Sequence, residues 1–173
     1  MIGGRDINQS IAFNALIQQA CEQHLPGLDW RVLKAQLYAE SRLIPRAASP
    51  AGAQGIAQFM PATWAEIAPQ LGFGERTPWE PEAAIPCAAF YMARLWREWT
   101  APRPVIDRYL LALASYNAGL GSVLKAQETR GNPALYADII KGLPTVTGAR
   151  ATETITYVRR IMQFYAEQVL GFQ

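Results

Sequence analysis

Apolar residues recur at helical spacing along nearly the whole 173-residue chain, and proline and glycine cut that pattern into short pieces. Residues three or four apart share a helix face. No run alternates apolar and polar side chains for more than a few positions, so a sheet has little to build from. The fold class is therefore mainly α. The spacing predicts a first helix over Asp6 to His24, with Ile7, Ile11, Ala15 and Leu16 inward, stopped at Pro26-Gly27. Asp29 predicts an N-cap for a second helix ending near Glu40. Leu43 to Gly55 has no period and reads as a long ordered loop, with tight turns at Gly52 and Gly55. A short helical turn is expected over Ile56 to Phe59. Pro61 then opens a helix at its first position, where a missing N–H is harmless, running toward Leu71.

The second half is cut in the same way. Leu71 to Pro81 reads as loop. Glu82 to Trp99 carries Ile85, Ala89, Met92 and Trp96 inward, and Pro86 marks either its true start or a kink. Val105 to Ala118 is helical and stops at Gly119. Short helices follow over Leu120 to Gln127 and Pro133 to Lys141, then a loop over Leu143 to Arg150 and a last helix over Thr152 to Val169. Half of the residues are hydrophobic, which is enough for one packed domain over 1–173.

Charge and cysteine content exclude several classes. With 16 basic and 14 acidic residues the net charge is +2, too balanced for a nucleic-acid partner. The basic residues are mostly Arg, which forks onto carboxylates and phosphates; a GC-rich genome gives the same bias. Cys21 and Cys87 are too few for a disulfide scaffold, lack metal-ligand spacing, and read as small buried hydrophobes. No stretch reaches the roughly 18 apolar residues of a membrane span. Gly3, Gly4, Asp6, Asn8 and Gln9 interrupt any secretion-signal pattern at the start. The expectation is synthesis in the cytoplasm without a signal peptide and no stable membrane insertion.

One residue breaks the helical pattern. The apolar stripe Trp30, Leu33, Leu37 continues to Glu40, so a carboxylate stands where another apolar residue belongs. Burial beside apolar groups raises a carboxyl pKa, and a carboxylic acid that keeps its proton near neutrality is what a general acid needs. Most glutamates at a helix end are instead solvated, so position alone favours an exposed Glu40.

The residues around Glu40 shift that balance. The run Glu40-Ser41, Pro45, Ala47, Ser49, Gly52-Ala53, Gly55, Gln58, Met60-Pro61, Thr63 resembles the signature of the soluble-type lytic transglycosylases. Ala114 to Gly119 is similar to that family's Tyr-Asn-Ala-Gly block. Glu153-Thr154, Tyr157-Val158 and Ile161 are similar to its Glu-Thr and Tyr-Val block. The three blocks occur in family order over about residues 29 to 169.

The resemblance implies a lysozyme-like helical domain of the goose-type-lysozyme and lytic-transglycosylase kind, with a deep saccharide groove, acting on the glycan strands of peptidoglycan. It implies that Glu40 is a lone acid and base and that the substrate's N-acetyl oxygen is the nucleophile. A second catalytic carboxylate is then unnecessary, and no Asp occurs in the 60 residues after Glu40. Glu66, Glu75, Glu80 and Glu82 read as solvated surface. Ser49 is implied to contact the acetamido group, Gln58 to bond sugar and Met60 to pack under it. Tyr116 is implied to steady transition-state charge near Glu40, Asn117 to orient the loop or hold sugar, and Glu153 with Tyr157 to line the groove. On their own residues, Ser49 also reads as a loop serine bonding its backbone, Tyr116 as a core tyrosine, and Glu153 as a helix-start glutamate. Phe59 reads as core. Ala57 stands where the family usually has Met, which bears on a subsite or on local packing.

No metal, cofactor or nucleic acid is implied, and the expected state is a monomer. Two alternatives stay open: a hydrolytic muramidase on the same scaffold, and a non-catalytic wall-binding module. A compact domain of this kind resembles phage lysis enzymes and secretion-associated wall cutters. Its expected place of action is the periplasm or cell wall, after phage-mediated release or dedicated secretion.

Overall fold

The computed structural model describes residues 7, 8 and 10–171. Among them the regular structure is helical: α1 Asn14–His24, α2 Trp30–Ser41, α3 Pro61–Ile67, α4 Pro81–Glu98, α5 Val105–Ala118, α6 Leu120–Thr129, α7 Tyr136–Ile139, α8 Leu143–Thr147 and α9 Arg150–Leu170. Two short 3₁₀ segments, Ala68–Leu71 and Ile140–Gly142, extend α3 and α7. Extended pairing among the described residues is limited to isolated antiparallel bridges of Gln54 with Ala48 and with Phe59. The chain divides into two compact units, Met1–Tyr91 with Ile161–Gln173, and Met92–Arg160, so the division falls within α4 and within α9.

The first unit is arranged about α2. Asp29 caps it as the sequence predicts, accepting from the Arg31 backbone N–H at 3.0 Å, a contact worth about 1 kcal/mol. Residues Val32 to Tyr38 are all buried, so α2 is surrounded on every side rather than along one stripe. The last part of α9 packs on it. Phe164 meets Tyr38 edge to face at 4.9 Å between ring centroids. The Tyr165 hydroxyl donates to Asp29 Oδ2 at 3.1 Å, and Gln168 Nε2 donates to the Arg31 carbonyl at 3.0 Å. Asp29 thus accepts from two residues, Arg31 through backbone and side chain and Tyr165, and its carboxyl is held below its ordinary pKa, first by the Arg31 side-chain bond. Cys21 and Cys87 are buried free thiols. Burial pushes Cys21 up to about 11 and Cys87 to about 12, which suits inert packing.

The second unit is built on α5 and α6. Gly119, at φ 84°, ends α5 and directly precedes α6, so the chain turns a corner in one residue. Ser115 is fully buried; it donates to the Leu111 carbonyl at 2.7 Å and accepts from Trp99 Nε1 at 3.3 Å. Asp107 Oδ1 accepts from the Tyr136 backbone N–H at 2.7 Å, tying α7 to α5. Gly142 lies where α6 comes closest, and a Cβ there would run into the Ala126 carbonyl oxygen.

The observed elements depart from the sequence prediction chiefly at four places. The first helix begins at Asn14, after a turn closed by Asn14 N–H to the Ile11 carbonyl at 3.0 Å. Its N-cap, Phe13, has no side chain that can cap it, and Ile11, at 68%, and Ala15 are exposed rather than inward; the predicted start at Asp6 lies outside the described residues. Ile56 to Phe59 is a turn, not helix, because Gln58 takes φ 51°, which a right-handed helix does not allow. Pro86 lies inside α4, which begins at Pro81. The predicted loop over Leu143 to Arg150 holds α8, with Pro144 in its first turn, and α9 already starts at Arg150. Gly and Pro content suggested loop there, but neither residue interrupts a helix at its first turn or its end.

Candidate active site

Glu40 is the penultimate residue of α2 and is half-buried. The geometry on its C-terminal side is unusual. Arg42 and Leu43 both take φ 58°, two successive non-glycine residues in the left-handed region, which L residues enter at a steric cost. Arg42 is held there by its guanidinium lying over the Tyr38 and Phe164 rings, at 4.6 and 4.9 Å. Ser41, only 7% exposed, places its hydroxyl 2.7 Å from the Ile56 carbonyl, with the Leu37 carbonyl further off at 3.3 Å. The serine beside the glutamate is therefore a clamp that fixes the end of α2 to the following loop.

That loop is held from inside. Gln54 and Phe59 exchange backbone bonds, both at 2.9 Å. Gly55 N–H donates to Ala47 at 2.9 Å. Gln58 Nε2 donates to the same Ala47 carbonyl at 3.0 Å and to Gly55 at 2.9 Å, so one side-chain amide closes the turn its own positive φ creates. Gly55 itself requires glycine twice over: φ is 78°, and a Cβ would run into the Pro78 carbonyl oxygen. Ser49 Oγ accepts from Ala53 N–H at 3.0 Å, leaving the hydroxyl its own proton to donate. Met60 is 44% exposed, whereas Ala57 and Phe59 are buried at 0% and 2%. Phe59 is core, edge to face with Trp64 at 5.4 Å.

The second unit presents a different kind of surface. Asn117, exposed at the end of α5, accepts from the Thr154 hydroxyl at 2.7 Å. A cavity of about 220 Å³ opens beside this pair, lined by Asn117 and Ser122 at the α5–α6 corner, Thr147 of α8, and Arg150, Glu153 and Thr154 of α9. It holds one cation, one carboxylate and several hydroxyls. Tyr116 is half-buried, Glu153 is exposed and Tyr157 is 8% exposed. Among the sequence candidates the cavity brings together Asn117 and Glu153, and neither Tyr116 nor Tyr157 lines it. Ser122, Thr147, Arg150 and Thr154 were not among the candidates. Thr154 had a signal, since it stands in the Glu-Thr block. Arg150 shares a face with Glu153 once α9 is known to begin at Arg150. Among the described residues no group of acidic, His and Cys side chains is arranged to hold a metal ion, and no helix is long and apolar enough to cross a membrane.

Known proteins share this arrangement of helices. Lytic transglycosylase Slt from Pseudomonas aeruginosa, solved as an inactive Glu-to-Gln mutant, superposes with a TM-score of 0.73 at 23% identity, over 95% of this chain and 25% of that one. The 70-kDa soluble lytic transglycosylase in complex with bulgecin A gives 0.71 at 22% identity, over 96% and 26%. At that identity the likeness shows the fold, which is lysozyme-like and of the lytic-transglycosylase kind. In sequence, membrane-bound lytic murein transglycosylase F of Yersinia pestis is 33% identical over 144 residues, 81% of this chain and 28% of the relative. The protein of that name from Serratia proteamaculans is 33% identical over 140 residues, with 79% and 28% covered. The chain thus spans little more than a quarter of these relatives' length. The Transglycosylase SLT domain profile matches residues 16–139, which takes in α2, the internally bonded loop and the α5–α6 corner. With that match over most of its length, the chain belongs to the SLT transglycosylase domain family.

Proposed function

We propose that this chain is the catalytic domain of a peptidoglycan lytic transglycosylase, cleaving the β-1,4 bond between N-acetylmuramic acid and N-acetylglucosamine. The observation that carries the reading is Glu40: a half-buried carboxyl at the end of a largely buried helix, inside the span that matches the family. Two kinds of relative support it. Those similar in sequence are named lytic murein transglycosylases, and a structural neighbour is an inactive Glu-to-Gln mutant.

The chemistry follows from a single acid. Protonated Glu40 gives its proton to the glycosidic oxygen as the bond from that oxygen to C1 breaks. The substrate's acetamido oxygen closes on C1 from the other face, so the sugar supplies the nucleophile that most glycosidases take from a second carboxylate. Glu40, now ionised, takes the proton of the 6-hydroxyl. That oxygen attacks C1, expels the acetamido oxygen and forms a 1,6-anhydro ring. No water is consumed, and Glu40 ends protonated as it began.

The remaining groups bind and orient. Ser49, whose hydroxyl proton is left after it accepts from Ala53, donates to the acetamido group. Gln58 has both amide hydrogens on backbone carbonyls, so it meets sugar through Oε1. Exposed Met60 packs under a ring. Tyr116 steadies positive charge in the transition state, and Asn117, Glu153 and Tyr157 line the saccharide path. The chain acts as one catalytic domain, as a monomer, without metal or cofactor, in the cell wall. The test is clearing of purified sacculi. Wild type is expected to clear them, and E40Q, with unchanged circular dichroism and Tm, is not. Clearing by a folded E40Q would end this reading.

A further inference from the structure

Gln36 is fully buried in α2, at 0% exposure, and neither its Nε2 nor its Oε1 has a hydrogen-bond partner. Three further residues with such an orphan atom, Asn14, Trp96 and Arg103, are only half-buried and keep part of their surface in water. Gln36 does not. Buried amides are almost always satisfied, and an apolar side chain of the same shape would serve packing at least as well. An amide kept at this position needs another reason.

Its place supplies one. Gln36 lies four residues before Glu40 on the same helix, and such positions put Cβ atoms about 5–6 Å apart on one face. Two long side chains at that spacing can meet. Each has the group the other needs in only one of Glu40's states: an amide N–H is a neutral donor, and a carboxylate that has lost its proton is a charged acceptor. Resting on the assignment of Glu40 as acid and base, we propose that Gln36 is a positioning residue. It donates from Nε2 to the Glu40 carboxylate once the proton has passed to the glycosidic oxygen, and it releases that bond when the 6-hydroxyl returns a proton. An interaction made only after proton transfer stabilises the transition state and intermediate more than the bound substrate, so it acts on kcat rather than on KM. A lysine in its place would keep Glu40 ionised throughout, and a leucine would offer nothing.

The test uses the full chain and soluble glycan strands of alternating N-acetylglucosamine and N-acetylmuramic acid. Q36M keeps the volume and removes the amide. It is expected to lower kcat about ten- to hundredfold, the range for one hydrogen bond to a charged group, with KM within twofold. The Tm should stay level or rise, because a buried orphan group is gone. A Q36M enzyme with wild-type kcat overturns the proposal, as does a loss of activity that follows a falling Tm or a rising KM. E40Q is run beside it: if E40Q is inactive and Q36M is normal, only the role of Gln36 fails, whereas an active E40Q removes the assignment on which it rests. A spectroscopic arm does not depend on folding of Q36M. The side-chain amide resonance of Gln36 is expected to move between wild type and E40Q when the substrate strand is added, and an unmoved resonance contradicts the proposal.

Discussion

The loop from Arg42 to Met60 and the corner around Asn117 and Glu153 both carry family motif residues, yet they use them in opposite ways. In the loop, motif side chains serve the backbone: Ser41 clamps Ile56, Gln58 bridges Ala47 and Gly55, and Ser49 bonds Ala53. At the corner, side chains bond one another, Thr154 to Asn117, and the rest face an open cavity. A motif residue is therefore not automatically a contact residue. In the first region identity is demanded by φ angles and carbonyls that need partners. In the second it is demanded by whatever enters the cavity. Substitutions should separate the two, costing fold stability in the loop, whatever they also do to substrate, and substrate handling alone at the corner.

The harshest way to break this contrast is Gly55→Ala. A side chain at φ 78° that also meets the Pro78 carbonyl should cost about 3 kcal/mol or more, read as a loss of several degrees in Tm or failure to fold; a normal melting curve would mean the loop is not tightly held. Ser41→Ala leaves the Ile56 carbonyl without its donor in a buried place, and chemical denaturation should show about 2 kcal/mol lost. Gln58→Leu, which removes two bonds and leaves a branched residue at φ 51°, should cost about as much.

The corner should behave differently. Glu153→Ala, at an exposed position, is expected to change stability by less than about 0.5 kcal/mol while raising KM on glycan strands about threefold or more. Equal losses of stability in the two regions would erase the distinction. The smallest effect concerns pH. Asp29 has its pKa lowered from 3.8, first by the Arg31 bond. A lowered folded pKa means stability that is present above that range and is lost as pH falls below 3.8 and through the folded value. D29N should therefore lower the Tm slightly near neutrality and converge with wild type in acid, which flattens the acid side of the Tm-against-pH curve.

Which parts of this were legible beforehand follows from the same physics. Local chemistry was readable: Asp29 as a cap, Pro61 as a helix start and Gly119 as a stop all act within a few residues, and each stands where expected. The fold class followed from period alone. Non-local packing was hidden. The stripe through Leu33 and Leu37 marks only part of what is interior, because α2 is buried all round, and nothing in the pattern places Gln36, one turn before Glu40, inside. The inward hold of Gln58 on Ala47 depends on a positive φ that nothing in a glutamine announces. Ser122 meets Thr147 and Arg150 in one cavity from two separate stretches of chain, and a motif read along the sequence cannot bring them together.

The central claim is that Glu40 works alone and the substrate completes the chemistry. The mass of the products tests it most directly. Sacculi digested by the wild-type protein should release muropeptides ending in 1,6-anhydro-N-acetylmuramic acid, one water lighter than hydrolysis products and resistant to borohydride reduction. Fragments with reducible ends at the heavier mass would contradict the account.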